Sequence, residues 1–592
     1  MSKRLWFVVA IVFSLVLVLG ACGSNNNNNN NDNNENTGEE NNDNNNGNNN
    51  NNDNDNNDNN DEEASGDSED GTLTYAIDNE PDGIFVDGFT SSAIDMQIID
   101  FAHESLFDVD EELHYSGNLV EWETEDNQHY TFTLEEGVEW HDGEELTMED
   151  WQFALEVLAH EDYEGDRYNY VSGIEGAEEY HEGEADEISG FELIGDYEAE
   201  ITFTAPRVNN IENLWSSPLP KHYLEDIEVA DLEESEEIRD NPIGLGPFKI
   251  KEINPGEYVS LERFDDYWKG KPKLSEILVK VIDTSQISGA LESEEVDIME
   301  IRPDDIEQLE ALDNVEVIEH EGLGYSYIGF RFGHRVDGES VPDFDKYEDK
   351  RVRQAMFYAI DRESIIDAYL TGAATVVNSP VPSTHWIRAD ESELTQYDYD
   401  PEKAEELLDE AGYTIKDGDE FRTDPDGNEF VIKFSHYAGG DPFQGRTDAI
   451  IQNWEDIGLE VELATGQLIE FNQYNEMKDN DDPNIEVFFG AWSTGADPDP
   501  SGLWGSDAEF NFGRWVNEES DELLADALGE DAFDEDYRAD VYVEWQKLYN
   551  EELPGLPLWE NVDLYGINNK VKGYTIQVTG LKDFHEWYIE ED

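Results

Sequence analysis

The residues best suited to chemistry lie in one stretch, Ala491–Trp504, reading AWSTGADPDPSGLW. Gly495, Pro498, Pro500 and Gly502 argue for a loop. That loop sets Ala496, Asp497 and Asp499 between Trp492 and Trp504. Carboxylates beside aromatic faces suit an ammonium group: the acid gives charge-assisted hydrogen bonds, and tryptophans give walls with little rotamer entropy to lose. Asp-Pro is also a common turn former, so the same pattern fits a plain acidic turn. Signatures of catalysis are missing elsewhere. His103, His160, His181, His320 and His585 each precede a glutamate, yet none has the second histidine of HExxH. Gly66–Asp70 lacks the closing glycine of a GxSxG elbow. His141 sits in a His-Asp-Gly turn with no second histidine at ligand spacing. Asp424–Asn428 resembles a calcium loop, but its glycine falls fourth rather than sixth and no glutamate stands twelfth. These patterns give no catalytic, cofactor or metal signature, which leaves a secreted hydrolase a distant reading.

The composition narrows the partners. Of 592 residues, 34 are Lys or Arg and 145 are Asp or Glu, a net charge of −111. Such a surface repels phosphate backbones, which excludes nucleic acid. Its self-repulsion is screened at high salt, so a halophilic or alkaliphilic source is expected. Hydrophobic residues make up 38% of the chain, enough for a large core, and the length exceeds one domain.

The first 22 residues read as an export signal, with Lys3 and Arg4 ahead of an apolar run from Leu5 to Leu19. The run ends in Leu19-Gly20-Ala21-Cys22, which resembles a bacterial lipobox. That resemblance implies a lipid on Cys22, the single cysteine, and a body with neither disulfide nor thiolate metal site. Residues 23–70 are rich in Asn, Asp and Glu and cannot bury enough surface to order. They read as a tether, about 40 Å root-mean-square as a flexible coil, long enough to stand a domain off through a Gram-positive wall.

The folded body is expected from residue 71. Thr72–Ile77 reads as a strand, and Ile94, Ile98, Phe101 and Ala102 recur at helical spacing towards Phe107. Thr147 with Asp150 makes a helix N-terminus, as does Asp400 with Pro401, whose helix Gly412 stops. Arg351 and Arg353 are expected on a solvated helix face. From Asn241 to Ile282 three strands form a meander: Phe248–Ile253, Tyr258–Leu261 and Leu274–Val281, separated by Pro255-Gly256 and by Lys269–Lys273.

The wording of that meander goes further. Gly244-x-Gly246-Pro247-Phe248, then Pro255-Gly256-Glu257, Asp265-Asp266-Tyr267-Trp268 and Gly270-Lys271-Pro272 closely resemble the extracytoplasmic solute-binding proteins of ABC peptide importers, family 5. Tyr130–Leu158, Arg351–Arg362 and Asn511–Trp515 resemble it too. The resemblance implies an α/β, two-lobed periplasmic-binding-protein-like fold (type II, Venus-flytrap) with an extra small domain inserted in the first lobe. Lobe I would be 71–325 plus 555–592, with the insertion near 112–205, and lobe II 326–554. The implied function is capture of extracellular oligopeptides and delivery to a membrane permease by a monomer anchored outside the cell membrane. Relatives hold the ligand's amino group with an aspartate that maps best onto Asp497, with Asp499 next. Trp492, Trp504 and Trp515 would face the ligand, and Ser92 and Ala93 would add strand-like contacts. Dipeptide, nickel, haem or sugar cargo is the alternative within the family. The negative field is expected to disfavour acidic peptides at low salt.

Overall fold

The computed structural model describes residues 67–590 other than 69, 91, 337 and 440. The segment read as an export signal, Cys22 and nearly all of the Asn/Asp-rich segment lie outside the described residues. The folded body reaches further back than expected: Asp67–Ser68 pairs antiparallel with Ile589 and Glu590, near the other end of the chain.

One mixed sheet organises the rest. Ten of its eleven described strands are β1 (Thr72–Ile77), β2 (Phe248–Asn254), β3 (Tyr258–Arg263), β4 (Glu276–Val281), β5 (Ile298–Glu300), β6 (Val315–Phe330), β7 (Val431–Ser435), β8 (Glu460–Leu463), β9 (Val487–Ser493) and β10 (Gly555–Asn568), and the eleventh, Ala374–Val376, pairs with β10 off the main path. The order across the sheet is β8-β7-β9-β6-β10-β5-β1-β4-β3-β2. The meander β2-β3-β4 is antiparallel, as its turn residues dictate, while β1 lies parallel to β4 and β5.

Buried apolar residues divide around this sheet into two lobes. Three clusters draw on residues 73–315 and 564–587, joined by Ala373, and two draw on 325–559. The long strands β6 and β10 run from one set to the other. They pair antiparallel over most of their length, with register shifts between Glu321 and Tyr325 and between Ser326 and Tyr327. A separate four-stranded antiparallel sheet lies between 120 and 202 in the first lobe, with its own buried face.

Helix ends follow the capping logic. Helix α1 (Ala93–Ala102) is capped by Ser92, whose Oγ accepts the Asp95 N–H at 3.4 Å. Asp95 in turn accepts from the backbone of Gly83 and Ile84 and from the Thr90 hydroxyl, which fixes the loop before the helix. Helix α2 (Met148–Leu158) opens with Thr147 donating its N–H to the Asp150 carboxylate at 2.9 Å. Helix α3 (Lys350–Tyr358) starts at Asp349, α4 (Pro401–Ala411) at Asp400, and Gly412 ends α4 at φ 92°. The last long helix is α5 (Glu535–Glu552).

Two expectations need correction. Helix α1 stops at Ala102 rather than running on to Phe107, because Ala102 O accepts the Gly246 N–H at 2.9 Å. The Gly-x-Gly turn matters for close approach rather than for a left-handed backbone. A Cβ on Gly244 would lie 2.0 Å from Ala102 O. The His141 ring locks the same turn: its Nδ1 accepts from Gly244 N–H and its Nε2 donates to Gly246 O, both at 3.0 Å. Burial holds His141 neutral, its pKa pulled down to about 3. Gly244→Ala is therefore expected to destabilise the protein by about 2–3 kcal/mol. Urea unfolding measures this, and a change under 0.5 kcal/mol would discard the packing argument. Arg353 is the second correction, since it is buried rather than solvated. Its guanidinium donates to the carbonyls of Tyr347, Glu348, Glu552 and Leu553, tying α3 to the end of α5.

Candidate binding cleft

A cavity of about 780 Å³ opens where the two lobes meet. The first lobe contributes one face of α1. Ala93, Met96, Gln97 and Asp100 fall at i, i+3, i+4 and i+7, so they share a side of the helix. Strand β10 contributes Asn561, Asp563 and Tyr565, and the second lobe contributes Ala491–Ala496 at the end of β9.

Three carboxylates face this space: Asp100, Glu300 and Asp563. Asp100 is exposed to the solvent of the open cleft, yet the surrounding walls desolvate it and push it up to about 6, against the attraction of Lys582. Burial also raises Glu300, and Asp563 beside it adds to the shift. Asp563 is raised by burial, with His320 opposing. The Gln97 amide donates to Glu300 at 3.1 Å, and among the described residues no Lys, Arg or His lines the cavity. Acids held above their ordinary pKa gain most from a cation that displaces their water. The arrangement suits an ammonium or guanidinium group.

The expected site residues divide. Ala93, Trp492 and Ala496 line the cavity, while Ser92 does not line it and serves as the α1 cap. Asp497 and Asp499 do not line it. The Asp497 carboxylate lies 3.2 Å from Arg538 Nη2 and accepts from the Asn209 and Asn213 amides. Arg538 also serves Glu212 at 3.5 Å, so Asp497 shares one guanidinium with a second acid and is occupied by partners of this chain. Asp499 accepts from the Ser501 N–H and hydroxyl. Trp504 and Trp515 are core residues. Ser501–Trp504 closes one helical turn despite its glycine, and this swings the Trp504 indole inward to donate to Tyr325 OH at 3.2 Å. Trp515 is buried in the second lobe beside Arg514, a structural cation paired with Asp481 at 2.9 Å. Asp110, Glu112 and His114 bring three possible ligand atoms within 4.8 Å. Asp110 spends its carboxylate on the backbone N–H groups of Glu112 and His114, and the His114 ring meets Glu535 at 2.6 Å, so this is a turn.

Residues 114–514 match the family model described as bacterial extracellular solute-binding proteins, family 5 Middle. The chain belongs to this family. It is a family of binding proteins, not enzymes, and its members work outside the cytoplasm. The oligopeptide-binding protein AppA of Bacillus subtilis is 28% identical over 474 residues, covering 79% of this chain and 82% of that one. Among solved structures, AppA from Bacillus subtilis in complex with a nonapeptide superposes at a TM-score of 0.70 with 26% identity, over 89% of this chain and all of that one. Lactococcal OppA complexed with an endogenous peptide, in the closed conformation, gives 0.74 with 24% identity, over 87% and 99%. The two-lobed α/β architecture of this solute-binding protein is thus that of the type II periplasmic-binding fold. No helix among the described residues is long and apolar enough to cross a membrane.

Proposed function

We propose that this solute-binding protein captures extracellular oligopeptides between its lobes and hands them to an ABC permease, tethered to the outer face of the cell membrane by a lipid on Cys22. Lobe I would comprise 71–325 and 555–592, and lobe II 326–554. The observation that carries the reading is the interlobe cavity, with three carboxylates on one side and the end of β9 on the other. Peptide suits it better than nickel or haem, since none of its described lining residues is a histidine. The ligand's ammonium group would sit among Asp100, Glu300 and Asp563, and Trp492 would wall the backbone.

Native mass spectrometry of the protein purified from a bacterial host tests this. A ladder of extra masses that fragment as peptides is expected. A single non-peptide mass, or a bare protein indifferent to added peptides of two to ten residues (lengths chosen to span roughly one cavity), would end the proposal.

The raised carboxylates add a pH signature. An ammonium group binds their ionised forms, so affinity is full above the raised pKa values and is lost as pH falls through them. With Asp100 near 6, a free-amine peptide is expected to bind about tenfold more weakly at pH 5 than at pH 7. An N-acetylated, uncharged peptide should lose far less. Equal losses for the two peptides, read by calorimetry, would remove these acids from ligand recognition.

A further inference from the structure

A second pocket, of about 410 Å³, shares Ala491 and Trp492 with the main cavity and runs into the second lobe. Its walls are aromatic, including Tyr437, Tyr474, Phe489 and Phe512. One cation lines it. Lys478 projects from Phe471–Asp479, and its Nζ lies 4.4 Å from the centre of the Phe512 ring and 5.0 Å from that of Tyr474. Among the described residues no carboxylate comes within 4.0 Å of this ammonium, although its neighbour Asp479 also lines the pocket. Burial draws Lys478 down to about 8, with Asp479 opposing.

A second buried cation stands behind the same wall. The Arg446 guanidinium lies 4.5 Å from the centre of the Phe489 ring and 4.0 Å from that of Phe443. Its Nε donates to His436 Nε2 at 3.1 Å, and its Nη2 has no hydrogen-bond partner among the described residues. In a chain with 145 acids, the one cation that lines this pocket has no ion pair among the described residues, and neither has the cation behind its wall. A buried cation without a counter-ion is costly, and an incoming anion offsets that cost.

Resting on the peptide-capture reading, we infer that this pocket binds the carboxy-terminal residue of the peptide, with Lys478 receiving its free α-carboxylate and the aromatic walls receiving an apolar side chain. The main cavity then takes the cationic end and this pocket the anionic end. A bound peptide is thereby given a direction, and its terminal residue is selected as apolar.

Calorimetry on the full protein tests the assignment with three ligands: Ala-Ala-Ala-Phe as the free acid, the same peptide as its amide, and Ala-Ala-Glu-Phe amide. The free acid is expected to bind at least about tenfold more tightly than either amide. Lys478→Met should remove that advantage by weakening the acid alone, and Lys478→Arg should keep it. A circular dichroism spectrum and urea midpoint matching the unaltered protein show that Lys478→Met is folded. Equal affinity of acid and amide for the unaltered protein overturns the inference, as does a Lys478→Met loss common to both. Matching affinity of the glutamate amide and the acid would overturn the α-carboxylate assignment. If none of the three binds, the peptide reading itself fails, a result distinct from the others.

Discussion

Replacing Arg538 with alanine is expected to weaken peptide binding by about 100-fold while leaving the fold of each lobe intact. Arg538 projects from α5 and is buried, with its Nη2 3.2 Å from Asp497 and its Nη1 3.5 Å from Glu212. Glu212 belongs to the first lobe, and so do Asn209 and Asn213, whose amides reach Asp497. Burial and the nearby Asp497 already push Glu212 upward. Without the guanidinium, two carboxylates face one another with little water between them. Breaking a buried pair costs about 3–5 kcal/mol because one charge is left uncompensated. Separating the lobes lets water return to both acids, so the cost attaches to closure rather than to folding. Calorimetry and small-angle scattering measure the two consequences, a weaker complex and a larger radius of gyration. Affinity within twofold of the unaltered protein, with the same radius, would refute this role. The deficit should also shrink at pH 5, since Glu212 is held above its ordinary pKa and protonating it removes the repulsion.

Arg362→Leu has the largest expected effect on stability, a loss of about 3–5 kcal/mol. The guanidinium is buried against the Phe357 ring, 4.4 Å from its centre. It donates to Val377 O at 2.5 Å, Pro557 O at 3.3 Å, Asn378 Oδ1 at 3.1 Å and Tyr397 O at 2.8 Å. Burial pulls it down to about 10, so it remains charged at neutral pH. Leucine fills much of the volume but strands these acceptors, two of them in segments that anchor the start of β10. Urea unfolding of the two proteins gives the difference directly. Because the contacts are buried carbonyls, molar salt should leave it nearly unchanged. A loss under 1 kcal/mol would mean that water or a rearranged backbone satisfies the acceptors.

These two arginines show where sequence reading succeeds and where it stops. Caps and turns are local, so Thr147 with Asp150, Asp400 with Pro401 and Gly412, and the punctuation of β2-β3-β4 were legible one residue at a time. The family wording around Gly244–Lys271 gave the architecture. Burial is a property of the whole fold, which is why Arg353 read as a solvated cation and Trp504 and Trp515 as ligand walls. Asp497 read as an anchor because its cationic partner stands 41 residues later, on α5. The cavity acids come from α1, β5 and β10, and only tertiary structure assembles them. One part was available in advance: Ala93, Met96, Gln97 and Asp100 repeat at the spacing of a single helix face.

The paired strands β6 and β10 also limit how the cleft can work. Chain continuity and an antiparallel ladder on both sides of the break at Glu321–Tyr325 forbid the lobes from sliding past one another or drifting apart. Bending and torsion about the strands are the motions such a connection favours. Groups mounted on the axis, such as Asp563, hold their place at every angle and can meet a ligand while the cleft is open. Groups carried off the axis, such as Glu212 and Arg538, sweep through an arc and meet only at its end. Under the proposed peptide capture, ligand chemistry would be sampled by stationary residues, and completion of the turn would be registered by moving ones.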